Sequence, residues 1–156
     1  DIPQIETIPI QKIERLILET ILTHPECVVK SQMLEILDKL QHFEVKRIVL
    51  WVKEIYFEID ENDYGLFLKE KNQESLPEEI KAAISSALFN YNPTKLEDKV
   101  ADKMLSDFLI GLEIQHLKNQ KAALISKQRA AATDEKGLEI LGQIQELEKK
   151  LRAYNK

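Results

Sequence analysis

The chain contains one cysteine, Cys27, in 156 residues. That excludes an internal disulfide framework and any zinc site built on several thiolates, and it fits a reducing compartment. Its four glycines, at 65, 111, 137 and 142, are too scattered to build a phosphate cradle. There is no Walker-type loop, dinucleotide fingerprint or HExxH pair. No uninterrupted apolar run approaches the roughly 18 residues of a membrane-spanning helix. The N-terminus also lacks the charged, apolar and small-residue order of a signal peptide. No membrane partner and a cytoplasmic location are therefore expected. An excess of positive charge is missing too: 22 Lys and Arg stand against 27 Asp and Glu, a net of −5, so direct nucleic-acid binding is not expected. The sequence opens on Asp1 rather than Met and is expected to be a piece of something longer.

Five prolines, at 3, 9, 25, 77 and 93, leave everything beyond Pro93 without one. The front is therefore expected to hold short helices with breaks, and the back long ones. Ile10, Ile13, Leu16, Ile17, Thr20 and Ile21 recur at three- and four-residue steps, predicting a helix that stops near His24-Pro25. Val29, Met33, Leu34, Ile36, Leu37 and Leu40 predict a second. Val45, Ile48, Val49, Trp51, Val52, Ile55 and Tyr56 predict a third, with a strand as local competitor because so many are β-branched or aromatic. Asp60 to Asp63 reads as a turn and cap before a short helix through Leu66, Phe67 and Leu68. Ser75 and Glu78 have capping-box spacing ahead of Ile80, Ala83, Ile84, Ala87 and Leu88.

With Thr94 as cap, a single helix is expected from Lys95 to about Ala132, its first inner stripe carrying Leu96, Val100, Met104, Leu105, Phe108, Leu109 and Leu112. It would measure roughly 57 Å at about 1.5 Å per residue, against roughly 40 Å across for a compact ball of this chain. It must then protrude, or bend near Gly111. Thr133 or Asp134 can cap a last helix in which Ile140, Ile144, Leu147, Leu151 and Tyr154 step by four, three, four and three, a heptad seam. A short link makes the two helices antiparallel, with Leu124 and Ile125 near Leu141, Leu117 near Leu147, and Ile114 near Leu151. The expected fold class is all-α: a helical bundle over 1–112, then a C-terminal antiparallel hairpin over 113–156. The first part carries 13 basic and 21 acidic side chains, the second 9 and 6. A mildly basic hairpin on an acidic body fits a docking arm for partner helices. A hairpin folded back to complete the bundle fits the same pattern.

Chemistry-bearing residues do not assemble into a recognisable site. Asp60, Asn62 and Gly65 match positions one, three and six of a calcium loop, but Tyr64 and Lys71 stand where oxygen ligands are required, so a capped turn is expected. His24, His42 and His116 share no ligand spacing and read as helix-end or surface residues. Cys27 has only His24 nearby as a base and reads as a small buried residue. Glu97, Asp98 and Asp102 alternate with Lys95, Lys99 and Lys103 as an ion-pair face. Trp51, Tyr56 and Phe57 read as core rather than a base-stacking platform.

Three stretches taken in order resemble the C-terminal helicase-binding domain of bacterial DNA primase. They are Ile13-Glu14-Arg15-Leu16-Ile17-Leu18 running on to Leu22-Thr23-His24-Pro25-Glu26, the helix from Lys99 to Leu117 with Leu105, Leu109 and Leu112 inside, and Thr133-Asp134-Glu135 through Leu138-Glu139-Ile140-Leu141 to Leu151. The middle, from Gln41 to Asn92, finds no residue-by-residue counterpart. The resemblance implies a bundle subdomain and a helical hairpin, carried behind the primer-synthesising core and zinc-binding domain of a full primase, itself a DNA-directed RNA polymerase. In that family the hairpin docks on the N-terminal domains of the hexameric replicative DNA helicase, and the bundle modulates the helicase. Neither the acidic metal site nor the zinc ligands of primase occur here. A non-catalytic recruiting domain is expected, without cofactor, metal or small-molecule substrate.

For that role the expected partner-binding residues are an apolar group of Leu147, Leu151 and Tyr154 and a polar rim of Gln143, Lys150, Arg152 and Lys156, with Gly111 as hinge. Some of the apolar group must also hold the hairpin together. Two other readings of the residues stay open: the N-terminal domain of the replicative helicase, whose bundle is alike, and an unrelated helical adaptor or coiled-coil dimerisation module. An enzyme reading has only the nearness of Cys27 to His24 behind it.

Overall fold

A computed structural model of the chain describes residues 9–92, 94–130 and 134–154. Among the described residues the chain is all-α, with no strand. The helices are α1 (Lys12–Thr23), α2 (Gln32–Lys39), α3 (Phe43–Ile55), α4 (Glu61–Asn72), α5 (Glu78–Asn90), α6 (Asp98–Ala130) and α7 (Asp134–Tyr154), with a 3-10 turn over Pro25–Val29 between the first two. The chain divides into two units, Asp1–Leu109 and Ile110–Lys156.

In the first unit α1 packs against both α5 and α3. Its Ile17, Leu18, Ile21 and Leu22 are fully buried, each worth about 1.5–3 kcal/mol of transfer free energy. Ala83 and Ala87, one turn apart on α5 and also buried, are small enough to let two helix backbones approach closely. The β-branched residues Val45, Ile48, Val49 and Val52 are buried on α3, and helix wins there over strand because that stripe has neighbouring helices to cover it. Proline stops α1: the chain leaves the helix at His24 and Pro25 opens the 3-10 turn.

A buried carboxylate joins α1 to α3. Glu14 is 3% exposed, and its Oε1 accepts from the backbone N–H groups of Gln41 at 2.9 Å and His42 at 3.0 Å. The His42 ring then caps α3, its Nδ1 accepting from Glu44 N and Val45 N. Donors that would otherwise be orphaned at a helix start are thus satisfied by two side chains. At the start of α6, Lys30 Nζ lies 2.9 Å from Asp98 and 3.2 Å from Asp102, and Glu26 Oε1 accepts from Leu96 N at 3.1 Å. The Asp98 hydrogen bond pushes the Lys30 ammonium above its ordinary value.

Several local expectations are corrected. Ser75 and Glu78 form no capping box, because Pro77 occupies the N-cap and Glu78 is already the first helical residue. Val29 belongs to the 3-10 turn and is half exposed, and Leu34 points outward. Helix α6 begins at Asp98, three residues after Lys95, and Ala101 rather than Val100 faces inward. Phe57 is 77% exposed instead of core, while Trp51 is partly covered and carries Lys71 Nζ 4.9 Å from its ring centroid. Ala132 and Thr133, named as helix end and cap, lie outside the described residues.

In the second unit Lys121 Nζ of α6 lies 3.2 Å from Glu148 Oε1 of α7. Ile114 and Leu151 line one groove, and Lys127 and Glu139 another. Residues of α6 and α7 thus share the lining of two grooves. Leu117, Ile144 and Leu147 are buried, at positions where the two helical stripes coincide.

Candidate functional site

Two grooves are lined jointly by residues of α6 and α7. On α7, Glu139, Gln143, Glu146 and Lys150 follow one another at three- and four-residue steps. On α6, Gln120, Leu124 and Lys127 do the same. Together they border a groove of about 650 Å³ floored by Leu124 and Leu147. On the other side, Ile114, Lys118 and Lys121 face Glu148, Leu151 and Arg152 around a groove of about 430 Å³.

The residues expected to bind a partner are distributed as follows. Gln143, Leu147 and Lys150 share the larger groove, and Leu151 and Arg152 share the smaller. Leu147 is only 8% exposed, so it helps to close the seam and offers little surface to another molecule. Tyr154, 42% exposed, ends α7 and lines neither groove. Lys156 lies outside the described residues. Gly111 sits within α6, partly covered, and no described glycine has a positive φ.

Leu138, 69% exposed on α7 and off the heptad seam, had no assigned role, and Leu141, expected against Leu124 and Ile125, is 38% exposed. Lys118 and Lys121 were also unassigned, although they follow Ile114 at helical steps of four and three.

The first unit carries a different concavity. Tyr56, Phe57, Tyr64 and Tyr91 surround about 380 Å³, with Asp60 and Lys95 beside them. The Tyr64 hydroxyl donates to the Leu22 carbonyl at 2.5 Å. Burial, then the neighbouring Tyr91 and Glu26, push that phenol well above its ordinary range. Asp60 is the N-cap of α4, and Gly65 lies inside that helix without positive φ. It therefore cannot serve as the turning glycine of a calcium loop, and Asn62 is outside the described side chains. Among the described residues no group of three His, Cys, Asp or Glu could hold a metal ion. Cys27 is fully buried, and burial followed by the Glu26 charge pushes its thiol up to about 11. The His24 ring reaches toward Glu26, Nδ1 lying 3.6 Å from Oε1. Among the described residues no helix is long and apolar enough to cross a membrane. Compared with protein-family models, with curated proteins and with solved structures, the chain finds no match.

Proposed function

We propose that the chain is a helicase-binding domain of the bacterial primase type, in which α6 and α7 form a helical hairpin that docks on the N-terminal domains of a hexameric replicative helicase. The bundle of the first unit modulates the helicase. The reading requires no cofactor and no catalytic residue, and it places the protein in the cytoplasm. One observation carries it: α7 leaves Leu138, Leu141 and Tyr154 exposed, and its C-terminal part also exposes basic Lys149, Lys150 and Arg152. Apolar anchors ringed by polar groups are what docking through a helix pair needs. The order of the three resembling stretches supplies the partner. Gly111 is kept as the hinge, and Gln143, Lys150, Leu151, Arg152 and Tyr154 as contacts.

The test is capture of purified replicative helicase by the intact chain and by a chain ending at Ala132. Loss of capture with α7, while helical circular dichroism of the remainder persists, is the expected result. Undiminished capture would remove the hairpin from the reading. Leu151→Ala with Tyr154→Ala should cost about 2 kcal/mol or more of binding if both are anchors. Sedimentation of the chain alone separates this reading from a self-associating coiled module, which would be dimeric without helicase.

A further inference from the structure

The two grooves beside the seam differ in chemistry. The larger is bordered by Lys127 and Lys150 but also by Glu139 and Glu146, so its charges balance. The smaller has Ile114 and Leu151 at its apolar floor and three cations, Lys118, Lys121 and Arg152, against the single carboxylate of Glu148. That carboxylate is already engaged, 3.2 Å from Lys121 Nζ. Among the described residues neither Lys118 nor Arg152 has a carboxylate partner; the Arg152 Nε–H donates only to the Glu148 carbonyl, at 3.4 Å. Both side chains are exposed.

We infer that this groove, between Ile114, Lys118 and Lys121 on one helix and Leu151 and Arg152 on the other, takes an acidic amphipathic protein segment. An aliphatic side chain of that segment rests on the floor, and flanking Asp or Glu meets Lys118 and Arg152. The inference rests on the reading of the hairpin as a docking arm and names the chemistry that arm recognises. Charge complementarity selects the occupant. An apolar floor favours burial of an aliphatic anchor, and unpaired cations on both rims favour carboxylates over a neutral or basic helix. A nucleic-acid strand fits less well, since no aromatic side chain lines the groove to stack a base, and phosphates have no use for an aliphatic floor.

The experiment uses the intact chain and a fluorescein-labelled helical peptide carrying Leu at three- and four-residue steps with Glu between. Controls are the same peptide with Lys replacing Glu, and a single-stranded oligonucleotide. Saturable binding of the acidic peptide, weakening as salt rises, is expected. Lys118→Glu with Arg152→Glu should weaken it at least about tenfold, whereas Lys127→Glu in the other groove should leave it unchanged. If the double variant does not fold, amide shifts at Lys118 and Arg152 during titration of the unaltered protein decide the matter. Equal binding of the basic peptide, displacement by the oligonucleotide, absence of saturable binding, or unmoved shifts at both residues would each overturn the inference. A dimer of the chain alone that Arg152→Glu dissociates would do so too, by assigning the groove to a second copy. Peptide binding without helicase capture removes the helicase and keeps the groove; helicase capture without peptide binding does the reverse.

Discussion

Glu14 is a charged residue where the helical stripe would put an apolar one, and its two backbone bonds explain why it is tolerated. Removing the carboxylate strands two donors, the N–H groups of Gln41 and His42. Each unsatisfied buried donor costs about 1–3 kcal/mol. Glu14→Ala should therefore lower the stability to urea by at least about 2 kcal/mol, and Glu14→Gln, which keeps one acceptor oxygen, by less. Equal losses would mean that packing rather than hydrogen bonding sets the effect. Cys27 makes the opposite case, a reactive group held inert. With its thiol pushed up to about 11 by burial and Glu26, about one molecule in a thousand carries a thiolate at pH 8, so a disulfide reagent should label it only after unfolding. Because the folded value is raised, this thiol disfavours unfolding least at alkaline pH. Its contribution is complete below the ordinary thiol value near 9 and is lost as pH rises through about 11. Cys27→Ala should flatten that alkaline loss of stability, measured by urea titration at several pH values.

The legibility of the helices varied with what decides them. Apolar stripes with three- and four-residue steps were readable in α1 and α3, and so was the stop at His24-Pro25, because a proline ring restricts the residue before it. Caps were not. Ser75 and Glu78 have the right spacing, yet Pro77 sets an extended backbone at the N-cap and a local rule overrides a local motif. Glu14 meets partners 27 and 28 residues away, a distance at which one sequence carries no signal. In the candidate site, the exposure of Leu138 follows from its place off the heptad seam, whereas Leu141, set by register near Leu124 and Ile125, is 38% exposed instead. The surplus of cations in the smaller groove emerges only when Lys118 and Arg152 are set on opposite walls. Helix α7 also holds two glycines that its own propensity would exclude. A Cβ added at Gly137 would meet nothing within 4 Å, so no contact demands glycine there. Gly137→Ala should stabilise α7 by about 0.5–1 kcal/mol through helix propensity alone. A loss of helicity instead would show that the position serves a contact with another chain or a need for local flexibility.

Across the whole chain, charge and burial are distributed unequally. The first 109 residues carry 21 acidic and 13 basic side chains and the remainder 6 and 9, so each unit would meet the same partner with a different field. The core is divided still more unevenly. Six helices supply fully buried aliphatic side chains to the first unit, among them Ile17, Ile36, Ile48, Leu68, Ile84 and Leu105. Among the described residues, α7 buries only Ile144 and Leu147 across 21 residues. A helix held by so few apolar contacts opens locally at a lower free energy than the molecule unfolds. Hydrogen exchange should therefore protect the amides of α1, α3 and α5 at least about tenfold more than those of α7. Leu147→Ala should speed exchange in α7, since Leu147 is one of the two side chains that this helix buries among the described residues. Equal protection throughout would mean that the chain unfolds as one cooperative body and that α7 is stabilised by more than its own seam. If the docking proposal holds, adding the acidic peptide should raise protection in α7 first, because binding there closes the opening that exchange reports.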